Sequence, residues 1–137
     1  EKDAQLLYDF GIKMGLAFQL QDDYLDVYGD PAVFGKKIGG DILCNKKTFM
    51  LITALSLAEG EDKETLLNWL RATDYVAEEK IQSVTALYNK VGVPELCQAR
   101  IDAYYKEGLE LLDKVNVESS LKEELKKFVC HLMDRKL

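Results

Sequence analysis

The segment from Ala4 to Tyr28 constrains this chain most, because it carries helically spaced apolar residues with three aspartates, Asp22, Asp23 and Asp26, set among them. Aspartate is a mediocre helix former, since its short carboxylate competes for nearby backbone groups. Three so close also repel one another, and something outside the helix must offset that repulsion. Rotation by 100° per residue gathers Gln19, Asp22, Asp23 and Asp26 into one arc of about 100°. Gly15 falls in the same arc, with Gly11 beside it. Leu7, Phe10, Met14, Phe18, Leu25 and Tyr28 occupy the back, and Leu20, Tyr24 and Val27 one flank. An ordinary surface helix has a narrower apolar stripe. The helix over 4–28 is therefore expected to be enclosed on most sides, with one acidic stripe left open.

A solvated acidic face would explain the stripe, but it predicts interspersed lysines, and none lies between Met14 and Lys36. The other reading is a polar cavity in which the carboxylates share divalent cations. An all-oxygen set suits Mg²⁺, which takes one or two carboxylates together with substrate phosphates. An EF-hand is excluded, because no alternating Asp/Asn ligands precede a glycine. On the helix alone both readings stand, and the next segment favours the second. Residues 30–45 hold Pro31, Gly35, Gly39 and Gly40 and read as a loop. Lys36, Lys37, Lys46 and Lys47 follow the acidic stripe closely, with glycines that let backbone approach a ligand. Carboxylates that hold Mg²⁺ and lysines that meet phosphate oxygens together suit a metal–diphosphate complex. Lys37 and Lys47 read as solubility residues, Lys36 and Lys46 as ligands.

Helical spacing continues to the C-terminus. Helices are expected at about 46–59, 61–73 and 75–91, from Pro94 to about Val115, and after a cap at Ser119 or Ser120. With 2 Pro and 9 Gly in 137 residues, the fold class is all-α, and the length suits one domain. The net charge of −6 disfavours nucleic acid or an anionic membrane as main partner. The longest apolar run, FMLITAL at 49–55, is too short to span a bilayer. Cys44, Cys97 and Cys130 are odd in number and widely spaced, a reduced intracellular pattern. Cys130 and His131 are adjacent, about 100° apart on a helix, and make a poor metal pair.

The stretch FQLQDDYLDVYGDPAVFGKKIGGDILCNKKT resembles the second aspartate-rich motif region of the trans-isoprenyl diphosphate synthases, the farnesyl and geranylgeranyl diphosphate synthase family. FQ-x-x-DD-x-x-D, GDP, FGK, GGDI and NKKT follow in that family's order and spacing, within a match from about Leu6 to Ala58. The resemblance implies the C-terminal helices of an isoprenoid synthase-type helical bundle. It implies Mg²⁺-dependent condensation of an allylic diphosphate with isopentenyl diphosphate, through an allylic cation, in a cytoplasmic homodimer. By the same resemblance Asp22 is the most direct Mg²⁺ ligand, and Asp23 and Asp26 act partly through metal-bound water. Gln19, Lys36 and Lys46 serve the allylic diphosphate, and Asp41 supports the metal's water network. The family carries two such motifs, and this sequence has one. The 137 residues are therefore expected to be the C-terminal part of a single synthase domain whose first motif lies upstream, and to be inactive alone. A class I terpene cyclase shares the fold and metal chemistry, but its second motif mixes Asn, Ser or Thr with acids. A non-catalytic helical subunit of a prenyltransferase complex is the other rival; retention of every motif residue speaks against it.

Overall fold

The computed structural model describes residues 2–29, 38–116 and 118–133, with the side chains of Leu132 and Met133 outside it. Among the described residues there are seven helices and no strand, so the chain is all-α. They are α1 (Lys2–Tyr28), α2 (Gly40–Leu43), α3 (Phe49–Leu57), α4 (Gly60–Arg71), α5 (Ala77–Lys90), α6 (Val93–Asp113) and α7 (Ser119–Met133). The chain forms two compact units, one of residues Glu1–Asp22 and Gln98–Leu137, the other of Asp23–Cys97.

In the first unit Phe10, Leu112 and Val129 form the core, with Met14, Tyr105, Leu111 and Leu125 packed against it. Gly108 lets α6 approach α1 closely: a Cβ there would run into Met14 Cε and lie 3.4 Å from Lys13 Cβ. The rim carries a Lys13–Glu107 ion pair at 3.6 Å and a Lys126–Asp113 pair at 2.8 Å. The enclosure expected of the first helix does not extend here. Leu7, Tyr8, Ile12 and Leu16 are exposed, because the stripe that touches the core is the one through Phe10 and Met14. Ser119 opens α7 rather than capping it, since the Lys122 N–H already donates to the Glu118 carbonyl at 3.2 Å.

In the second unit α5 is central and packs against α2, α3 and α4. Met50, Leu51, Ala54, Leu66, Val84 and Tyr88 are buried there. The end of α1 joins this unit, with Leu25 and Val27 buried and the Tyr28 hydroxyl donating to Asn89 Oδ1 at 2.8 Å. Thr48 caps α3 by accepting the Leu51 N–H at 3.1 Å. That cap starts the helix at Phe49, not near residue 46 as expected, and leaves Lys46 and Lys47 in the preceding turn. The expected loop over 30–45 also differs in its second half: Gly40–Leu43 is a helical turn of 4 residues. Its first part, residues 30–37, lies outside the described residues.

Candidate functional site

The acidic stripe is graded in depth rather than uniformly open. Gln19 is exposed and Asp22 half-buried, both on the part of α1 that belongs to the first unit. Asp23 and Asp26, which begin the second unit, are buried, 7% and 5% exposed. A buried carboxylate needs donors, and each of the two finds them in the segment that follows α1.

Asp26 binds the start of α2 twice. Its Oδ2 accepts the Asp41 N–H at 2.8 Å, and its carbonyl accepts the Gly39 N–H. The carboxylate thereby satisfies one of the free N–H groups that open every helix. Gly39 has φ 94°, in the left-handed region open to glycine. A Cβ at this position would lie 2.5 Å from Ile81 Cδ1. The GG of GGDI thus has a steric reason at its first position.

Asp23 meets Lys46. The Lys46 Nζ donates to Asp23 Oδ1 at 3.3 Å and lies 4.0 Å from Asp41 Oδ2. The lysine head is half-exposed, at 52%, whereas the Asp23 side chain is 10% exposed. The Asp23 carboxylate, by charge and then by its hydrogen bond, holds the Lys46 ammonium above the usual lysine range, with Asp41 and Asp26 adding to it. The same buried carboxylate adds to a larger desolvation effect on Cys97, whose thiol is pushed up to about 11.

The turn that presents Lys46 is built on Asn45, whose φ of 56° makes it a left-handed non-glycine residue. The Lys46 N–H donates to the Asp41 carbonyl at 2.9 Å and the Thr48 N–H to the Lys46 carbonyl at 2.9 Å. Behind the turn lies a cavity of about 10 Å³ lined by Asn45, Lys80 and Tyr88 among others. That is room for about one water, and Lys46, whose side chain is half-exposed, is among the residues that line it.

The structure therefore brings together Asp23, Asp26, Asp41 and Lys46, while Gln19 and Asp22 precede them on α1. Lys36 lies outside the described residues. Among the described residues, no group of three or more His, Cys, Asp or Glu side chains is arranged to hold a metal ion. The donor chemistry nonetheless fits Mg²⁺: it is all carboxylate oxygen, and Asp23 and Asp41 already face one shared cation, the Lys46 ammonium. No described helix is long and apolar enough to cross a membrane.

Sequence reasoning passed over Lys80, which is 1% exposed. Its Nζ donates to Asn45 Oδ1 at 2.7 Å and to the Leu43 carbonyl at 3.4 Å. The signal was available: Lys80 stands four residues before Val84, on the stripe of α5 that the apolar spacing marks as buried.

Known proteins share both the sequence and the fold. The chain is 35% identical over 123 residues to a short chain isoprenyl diphosphate synthase of Methanothermobacter thermautotrophicus, covering 88% of this chain and 37% of that one. A crystal structure of a geranylgeranyl pyrophosphate synthase matches with a TM-score of 0.88 at 34% identity, over 100% of this chain and 43% of that one. A second, from Corynebacterium glutamicum and complexed with isoprenyl diphosphate and magnesium, matches with a TM-score of 0.84 at 30% identity. That match covers 96% of this chain and 37% of the other. The chain thus spans about two-fifths of the length of these relatives. The polyprenyl synthetase family model matches residues 1–89, the stretch that holds the acidic helix, the basic turn and α5, and the chain belongs to that family.

Proposed function

We propose that these 137 residues form the C-terminal part of a single isoprenyl diphosphate synthase domain. The intact protein is a Mg²⁺-dependent prenyltransferase, a cytoplasmic homodimer that joins an allylic diphosphate to isopentenyl diphosphate and releases a linear product. The observation that carries this reading is the meeting of the acidic end of α1 with the basic turn, Lys46 Nζ at 3.3 Å from Asp23 Oδ1, in a chain of this family.

In this reading Asp22, Asp23 and Asp26 hold the metal, with Asp41 in support, and Gln19, Lys36 and Lys46 bind the allylic diphosphate. Bound magnesium would supply the positive charge that a departing diphosphate needs. Lys46 contributes a cation of its own: its head is half-exposed, on a turn fixed by the Asp41 carbonyl. There it can donate to phosphate oxygens as the C–O bond to the allylic carbon breaks. The diphosphate leaves with the electron pair, and the isopentenyl double bond attacks the allylic cation. Loss of a proton then leaves a diphosphate longer by one isoprene unit. Asp26 keeps the start of α2 in register throughout, through the Asp41 N–H. The chain alone supplies one acidic face and is inactive without the rest of the domain.

The test is a prenyl-transfer assay on the longest native form of the protein, with isopentenyl diphosphate, a set of allylic diphosphates and Mg²⁺, and products sized by mass spectrometry. Linear products that vanish with EDTA are expected. No product from folded, full-length protein would overturn the reading, and cyclic hydrocarbons would replace it with a cyclase.

A further inference from the structure

Lys80 heads the largest fully buried side chains among the described residues, at 1% exposure. Its partners among the described residues are neutral: the Asn45 amide oxygen at 2.7 Å, the Leu43 carbonyl at 3.4 Å and the ring of Tyr75, whose centroid is 4.7 Å away. A buried ammonium met by dipoles and a ring is costly compared with a leucine or methionine of similar volume. Packing alone does not account for it.

What it holds is specific. The Leu43 carbonyl, at the end of α2, accepts from both Lys80 and the Tyr75 hydroxyl, each at 3.4 Å. The Asn45 side chain is gripped at both ends, Oδ1 by Lys80 and Nδ2 donating to the Leu70 carbonyl at 3.1 Å. These two bonds also settle which way the amide points. Asn45 has φ 56°, a left-handed conformation that asparagine tolerates better than most L-residues and that its two side-chain bonds help to hold. The next residue is Lys46, whose N–H is tied to the Asp41 carbonyl and whose head meets Asp23.

We propose that Lys80 is a positioning residue for Lys46: by gripping the Leu43 carbonyl and the Asn45 amide, it fixes the left-handed turn from which Lys46 reaches Asp23 and the allylic diphosphate. The diphosphate role of Lys46 rests on the function proposed above; the grip on the turn does not. Lys80 touches no reacting atom.

The experiment uses the full-length protein with Lys80→Met and, separately, Asn45→Gly, which removes the gripped amide but suits the turn's backbone. Amide hydrogen exchange is read at Asn45 and Lys46, with Ala54 in α3 as the internal reference, and steady-state kinetics are read for each substrate. Both variants are expected to speed exchange at Asn45 and Lys46 by about tenfold or more, with Ala54 unchanged. The KM for the allylic diphosphate should rise about tenfold, while that for isopentenyl diphosphate stays within about twofold. Unchanged exchange at the turn in a folded Lys80→Met protein overturns the proposal. So does faster exchange everywhere with both KM values raised alike, which marks a merely structural lysine. If Lys80→Met fails to fold, Asn45→Gly decides by the same readings. If wild-type protein transfers no prenyl group, the functional reading has failed, and exchange at the turn still decides whether Lys80 fixes it.

Discussion

Asp26 and Asp41 are joined by a hydrogen bond from the Asp41 N–H to the Asp26 carboxylate at 2.8 Å, while the Asp26 carbonyl takes the N–H of Gly39. One residue at the end of α1 thus ties down the first turn of α2, and with it the turn that presents Lys46. A motif aspartate that reads as a metal ligand is also a helix cap donated from a neighbouring helix.

Asp26→Ala should destabilise the full-length protein by about 2 kcal/mol, the scale of a hydrogen bond to a charged group plus an orphaned N–H. Asp26→Asn should cost less than half of that, because its amide oxygen still accepts. Urea denaturation compares the two. Equal losses would show that the charge, not the hydrogen bond, matters at this position.

Asp22→Ala should lower turnover by about three powers of ten, or about 4 kcal/mol of barrier, with the circular dichroism spectrum unchanged. Asp22 is half-buried, so its loss leaves little void. Turnover unchanged at ordinary Mg²⁺ would remove it from the metal site.

The Lys46 ammonium is held protonated above its ordinary 10.5 by Asp23 first, then Asp41 and Asp26. A pKa raised on folding adds stability that is fully present below the unfolded value and is lost as pH climbs through the folded one. The exposed head is screened by solvent, so the wild-type advantage over Lys46→Met should be below about 1 kcal/mol at pH 8. It should fade as the pH climbs through the raised folded-state value. Paired denaturation curves isolate this lysine from the others, and a difference that grew with pH would contradict the ion pair.

Cys97 is fully buried, and its thiol is pushed up to about 11, chiefly by desolvation and then by Asp23. Ionisation alone slows its alkylation about a hundredfold at neutral pH relative to an ordinary thiol. Mass spectrometry after iodoacetamide treatment of native protein should find Cys44 and Cys130, both exposed, modified well before Cys97. Early modification of Cys97 would mean that this part of the second unit opens readily.

Much of this was legible in the residues, and the parts that were not share a cause. Helical period marks α1 and α4 to α7, because each is long enough to show it, and α3 reads from its nearly unbroken apolar run. The 4 residues of α2 are too few for a period, and Gly39 and Gly40 read as loop. The helical wheel put Asp22, Asp23 and Asp26 on one face but said nothing of depth, and depth separates half-buried Asp22 from buried Asp26. It also put Leu7 on the enclosed back of the helix, where the first unit leaves it exposed. Lys46 was picked out by its neighbours in sequence. Lys80 was missed because what explains it, Asn45, lies 35 positions away.

The Asp26–Asp41 bond spans only 15 positions, whereas the Tyr28–Asn89 bond that ties α1 to α5 spans 61. Closing a loop of that shorter length takes on the order of a hundred nanoseconds, and the entropic cost grows with separation. On a growing chain the acidic helix and its turn are therefore expected to find each other before α5 has been made. Folding would then start at the chemistry: the carboxylates and the turn close first, and the longer-range packing settles around them.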